Sequence, residues 1–302
     1  MKTVSTTRAT RFCALALLTC LLLALSLKPS QGVAQTARRE GGRSALLVFT
    51  VSTENWPEAN ADPLVMVKGG KFEYPFDDSK EEEQKRFASN FLDEGRKYHL
   101  TFGGAEVGTL TIKGNGVGCM SLHAAGTLDA DAESSKRIRA QGSALATNSD
   151  AFAHRSIARR SLTTQERASM LKLAKNTFRQ HGAVAGLLSK MKVNNLTAIE
   201  VDNGGKTTLI GSFTIPEVRQ LFLIVESAGK GYRIALANYE VSKEDPVYQI
   251  GKENLVDHLD LDGDGVSEII TTIAGFDAYG YQIYKRQRGR WHRIYSSGGD
   301  AC

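Results

Sequence analysis

The chain has 302 residues, with 38 Lys and Arg against 33 Asp and Glu and a formal net charge of +5. A hydrophobic fraction of 41% and a charged fraction of 24% argue against a mostly disordered chain, a collagen-like chain and a polytopic membrane protein. The length suffices to bury a sizeable core without a dense disulfide framework.

Residues 1–34 read as a secretory signal peptide. Lys2, Arg8 and Arg11 precede an apolar run from Cys13 to Leu27, and a short polar stretch ends in Gly32 and Ala34. The run is shorter than a spanning helix, which needs about 18 residues or more. Cleavage after Ala34 is therefore expected, with an uncleaved anchor as the alternative. The protein is expected to be secreted or periplasmic, with no membrane association once the signal is removed. This segment holds four basic residues and no acidic one, which leaves 34 basic against 33 acidic residues in the remainder. The excess positive charge belongs to the leader, so no nucleic-acid partner is expected. Arg155, Arg159 and Arg160 read as a solvated basic loop. Cys13 and Cys20 leave with the signal. In an oxidising compartment the remaining pair, Cys119 and Cys302, is expected to form a disulfide, with two free thiols as the alternative.

The fold class expected is α+β and β-rich. Residues 35–43 are a flexible leader. Residues 44–160 form a mainly antiparallel β domain with one packed helix. Its elements are a strand over Ala45–Val51, a hairpin of Leu64–Lys68 and Lys71–Tyr74 around Gly69-Gly70, and a helix from the Ser79/Glu82 capping box to Gly95. Strands follow at Tyr98–Phe102, Val107–Lys113 and Val117–His123, with a turn at Gly114-Asn115-Gly116, and another strand over Lys136–Asn148. Residues 161–192 form a helical connector. Thr163 and Glu166 make a second capping box, Ala168, Leu171, Ala174 and Phe178 recur at helical spacing, and a short helix over Ala183–Met191 follows.

Residues 193–302 repeat internally at an offset of 60, with Asp202 matching Asp262, Gly205 matching Gly265, Ile210 matching Ile270 and Arg233 matching Arg293. Each unit, 193–250 and 253–302, reads as four short strands of a blade-like β module. The second unit carries Asp260-Leu261-Asp262-Gly263-Asp264-Gly265-Val266-Ser267-Glu268. A tight loop turns alternate side chains toward one centre, so the carboxylates of Asp260, Asp262, Asp264 and Glu268 converge. Gly265 allows the sharp turn, and the Val266 carbonyl can add a neutral oxygen. An all-oxygen, flexible shell suits Ca²⁺ better than Mg²⁺ or a transition metal. Thr271 stands where a helix–loop–helix calcium hand needs a bidentate acid, and the β-branched run from Ile269 to Ile273 favours strand. An Asp/Gly-rich hairpin turn without an ion is the competing reading. The loop of the first unit has Gly204 and Thr208 in place of two acids and reads as having lost the ion.

At these residues the chain resembles the FG-GAP (VCBS-like) repeat family of integrin-α-type propellers, over residues 194–302 only. The resemblance implies a calcium loop between two blade strands, with Asp260, Asp262, Asp264 and Glu268 as side-chain ligands and Val266 as the carbonyl ligand. Two units are too few to close a propeller, and integrin-like ligand recognition is not implied.

The six histidines, His99, His123, His154, His181, His258 and His292, are scattered outside any metal-ligand spacing. Ser121 and His123 share a strand face but no third group is evident, and Gly114, Gly116 and Gly118 do not open a helix. With no catalytic constellation visible, the expected function is an exported protein holding one Ca²⁺ in its second repeat and binding a protein or glycan partner. The alternative is a secreted hydrolase with catalytic groups in the first domain and the repeats as accessory.

Overall fold

The computed structural model describes residues 45–118, 121–202, 204–215, 219–229, 231–241, 251–275, 278–297 and 300–301. The expected signal peptide, the leader and both cysteines of the expected disulfide, Cys119 and Cys302, lie outside the described residues.

The chain begins with β1 (Leu46–Ser52), β2 (Glu58–Lys68), β3 (Lys71–Glu73) and α1 (Glu81–Phe91). It continues through β4 (Lys97–Phe102), β5 (Ala105–Gly118), β6 (Ser121–Ala130), α2 (Ala132–Gln141) and β7 (Ser143–Thr147). Six of these strands close into an antiparallel barrel in the ring order β1-β7-β4-β5-β6-β2, with β3 paired to β2 outside the ring. Closure follows from the central place of β1, where Phe49 stands opposite both Pro63 of β2 and Ala146 of β7. Its alternation sets the two faces. Leu47, Phe49 and Val51 fill the barrel interior with Phe87, Leu92 and Ile138. Val48 points outward into a separate apolar cluster.

Three local expectations are corrected. Lys136–Gln141 is helical: Asp131 caps α2 by accepting the Glu133 and Ser134 N–H groups at 2.9 Å each, and Gly142 ends it in the left-handed region. Two helices therefore pack on the barrel, where one was expected. Gly114-Asn115-Gly116 is no turn. The three residues stay in the ladder opposite Ala125, Ala124 and His123, and the pairing runs on to Gly118 opposite Ser121. Ser79 and Glu82 form no capping box. Lys80 is the N-cap without a side-chain bond, and Ser79 donates to Asp77.

The second half runs through β8 (Arg159–Arg160), α3 (Thr164–Gln180), α4 (Ala185–Leu188), β9 (Lys192–Glu200), β10 (Thr207–Ile215), β11 (Arg219–Ala228) and β12 (Gly231–Val241). It ends with β13 (Lys252–Leu259), β14 (Glu268–Ala274), β15 (Ala278–Gln287), β16 (Arg290–Ser296) and β17 (Asp300–Ala301). These make two antiparallel sheets, β12-β11-β10-β9-β8 and β13-β14-β15-β16, with β17 added to β15. The four strands of each meander begin within one residue of the offset of 60.

The expected Thr163/Glu166 capping box is formed and starts α3. Met170, Ala174 and Phe178 of that helix pack on Leu209, Phe213 and Leu223 of the first meander. The approach is close at Gly211, where an added Cβ would lie 2.4 Å from Met170 Cε. The other face of this meander, with Ile199, Ile210, Phe222 and Ile224, packs on Leu255, Ile269, Tyr284 and Trp291 of the second. The far face of the second meander, with Val256, Leu259, Leu261 and Ile283, meets Val48, Leu64, Val65 and Leu145 on the outside of the barrel. The order of layers is thus barrel, second meander, first meander, α3, and each meander is apolar on both faces.

Candidate metal centre

The acidic loop joins β13 to β14. Leu259 and Leu261 anchor it in the cluster against the barrel, while Gly263 and Gly265, at φ 75° and 90°, let it reverse within a few residues. Asp260 is buried. Its Oδ2 accepts from Arg155 Nη2 at 2.9 Å and from the Gly265 N–H at 3.2 Å, and its Oδ1 has no partner among the described residues. Asp262 binds the Lys285 ammonium through Oδ2, and its Oδ1 is likewise buried and unpartnered. Glu268 is fully buried. Its Oε2 accepts the Leu261 N–H at 2.8 Å, and its Oε1 lies 3.1 Å from Lys285 Nζ. Asp264 is more exposed, with Oδ1 accepting the Val266 N–H at 2.9 Å and Oδ2 2.7 Å from Lys285 Nζ.

Asp260, Asp262 and Glu268 each offer one oxygen, and these atoms lie within 4.8 Å of one another. They form an acidic group able to hold a metal ion. Asp264 joins its edge through the shared lysine. Val266 sits on the rim, where it forms a β-bridge with Asp202 of the first repeat, and the neighbouring Ser267 N–H donates to the Val201 carbonyl at 2.6 Å. The two repeats are thus tied loop to loop.

Four carboxylates against Arg155 and Lys285 leave the centre with a formal charge of −2. Burial pushes the Glu268 carboxyl up to about 7, although the Leu261 N–H and Lys285 work against it. For Lys285 burial acts to lower the pKa, and contact with Asp262, Asp264 and Glu268 overrides it, so the ammonium is held above its ordinary value.

Sequence reasoning missed Lys285 and Arg155. The β14–β15 register sets Ile269 opposite Tyr284, which brings Lys285 level with Glu268, and only strand pairing reveals that neighbourhood. The basic cluster is not a solvated loop. Arg155 reaches Asp260, Arg160 makes a two-pronged pair with Glu166 at 2.8 Å for each bond, and Arg159 is buried against Asp257. In the first loop, Asp202 accepts the Gly204 N–H at 3.0 Å, and Arg286 lies 3.7 Å away.

Behind the loop, the 154–158 segment, the end of β9 and the loop itself line an open pocket of about 480 Å³ with His258 at its wall. Burial, with Arg159 adding to it, holds the His258 imidazole down at about 3, so it is neutral. The Ala158 carbonyl lies near the ring without completing a hydrogen bond, and neither nitrogen is bonded to Ser156 or Ser267. The pocket therefore presents no Ser–His pair of the kind the hydrolase alternative calls for.

No protein-family model matches the chain, and no curated protein or solved structure matches it either.

Proposed function

We propose that this is an exported calcium-binding protein in which one Ca²⁺ rigidifies the paired β modules, leaving their outer loops to engage a protein or glycan partner. Asp260, Asp262 and Glu268 supply the inner ligands, and Asp264 and the Val266 carbonyl complete the shell with water. One observation carries the reading: Asp260 Oδ1 and Asp262 Oδ1 are buried carboxylate oxygens with no donor among the described residues, in a group whose charge a divalent cation would cancel. Orphaned buried acceptors of this kind are destabilising unless a cation or water meets them. An oxygen-only donor set on a flexible loop favours Ca²⁺ over Mg²⁺. Two four-stranded meanders with the acidic loop between the first two strands of one agree with an FG-GAP-like blade pair, and the apolar run after a basic start supports export.

An ion that binds only the folded state stabilises it by mass action, by about 1.4 kcal/mol at tenfold excess over Kd. Sites of this type work at a Kd of about 10⁻⁴–10⁻³ M. Thermal unfolding should therefore shift upward by about 3–5 °C in 10 mM CaCl₂ and return with chelator. Asp262→Ala should abolish the shift and Asp202→Ala should preserve it. An unchanged midpoint at that calcium concentration would remove the proposal.

A further inference from the structure

We infer that Lys285 is a tethered competitor for the metal: its ammonium fills the acidic cup in the ion-free protein and must withdraw when a divalent cation enters. The inference rests on the calcium reading above and concerns how that site is regulated.

An ammonium has three hydrogens, and here all three find carboxylates, on Asp262, Asp264 and Glu268. Two of these acids belong to the group whose oxygens converge. The lysine thus engages two of the three acids that an ion would use. Its single charge leaves the centre at −2, and it leaves Asp260 Oδ1 and Asp262 Oδ1 without a partner among the described residues, so it fills the cup without satisfying it. A divalent ion among the same oxygens would repel the ammonium at close range in a poorly screened site, so the two exclude each other. The stem leaves β15 two residues before its end, beside the exposed loop at Arg288 and Gly289, which gives the head group a short way out.

The repeat itself supplies a control. The residue opposite Thr208 in the first repeat, the place that Lys285 holds beside Glu268 in the second, is Glu226, an acid, and the loop beside it carries Gly204 and Thr208 where the second loop carries Asp264 and Glu268. The ammonium stands in the repeat that has the acids. It thereby keeps the ion-free loop folded, and the affinity for metal is reduced by the fraction of molecules in which the cup is held.

The test uses the full chain and Ca²⁺ alone, with two readouts. The first is calorimetric titration of the wild type and Lys285→Met. The variant is expected to bind Ca²⁺ about tenfold or more tightly and to unfold at a lower temperature without the ion. The second needs no substitution. Acetylation of wild-type lysines by an activated ester, read by peptide mass spectrometry, should find Lys285 slow in chelator and several-fold faster in saturating Ca²⁺. Tighter binding with calcium-dependent exposure of Lys285 supports the inference. Equal or weaker binding by the variant, or a Lys285 equally protected at saturation, overturns it while leaving the calcium reading standing. Binding by the variant alone supports Lys285 as competitor and overturns calcium binding by the natural chain. Binding by neither overturns both.

Discussion

The two repeats trace the same meander and bury different chemistry. Where the first has Val193, Thr197, Gly211, Leu223 and Val225, the second has Glu253, Asp257, Thr271, Gln282 and Tyr284. In the second, Glu253 accepts from the Tyr284 hydroxyl at 2.7 Å, from Thr271 Oγ1 at 2.8 Å and from Asn238 Nδ2 at 3.1 Å. Asp257 accepts the Gly103 N–H at 2.8 Å and faces Arg159 at 3.4 Å, and Arg159 also donates to the Val256 carbonyl at 2.7 Å. The first repeat is held by apolar packing against α3. The second is fixed by directional polar bonds to both neighbours. Polar bonds of this kind define orientation more sharply than oily contact does, because a buried group that misses its partner is penalised. The repeat with the acidic loop is also the one whose orientation is most tightly specified.

The contrast breaks most visibly at Asp257. Asp257→Ala strips the partner from a buried Arg159 and should lower stability by about 3–5 kcal/mol, while Thr197→Ala at the matching position should stay within about 1 kcal/mol. Urea denaturation of both variants at neutral pH measures the difference, and equal losses would dissolve the distinction between the repeats.

A smaller effect is expected at Glu166, which anchors the helix covering the first repeat. Arg160, with the Thr163 N–H, holds its carboxyl down at about 2. A depressed acid contributes stability above its unfolded pKa and loses it as pH falls through the folded one. Glu166→Ala should therefore lose about 1–2 kcal/mol at neutral pH, since Arg160 is partly exposed, and the gap to wild type should close between about pH 4.5 and 2. A gap independent of pH would assign the loss to packing.

The smallest change has the opposite sign. Burial raises the Glu253 carboxyl above its ordinary value despite its three donors, and no cation stands among them. Its favourable contribution is complete below the unfolded pKa and declines as pH rises through the raised folded value. Glu253→Gln should be modestly more stable than wild type at pH 7, with the advantage fading toward pH 4. Loss of stability at both pH values would mean that the anion itself is required.

Much of the second half was legible in the chain. The offset of 60 marks two units of four strands each, and alternate acids with glycines mark the loop. What escaped was set by distance along the chain. Arg155 and Lys285 lie 105 and 23 residues from the acids they meet, so no local spacing shows them. Barrel closure depends on β1 pairing with β7 about a hundred residues later. In α2, the cap at Asp131 and the stop at Gly142 were the signals that mattered.

The layer order has a consequence for synthesis. The meander that sits in the middle of the stack is the last of the layers to leave the ribosome. Until it emerges, the barrel wall around Val48 and Leu64 and the sheet face around Ile210 and Phe222 have nothing against them. A nascent chain halted near residue 250 would carry two greasy surfaces, a state prone to sticking to its neighbours and in need of a chaperone.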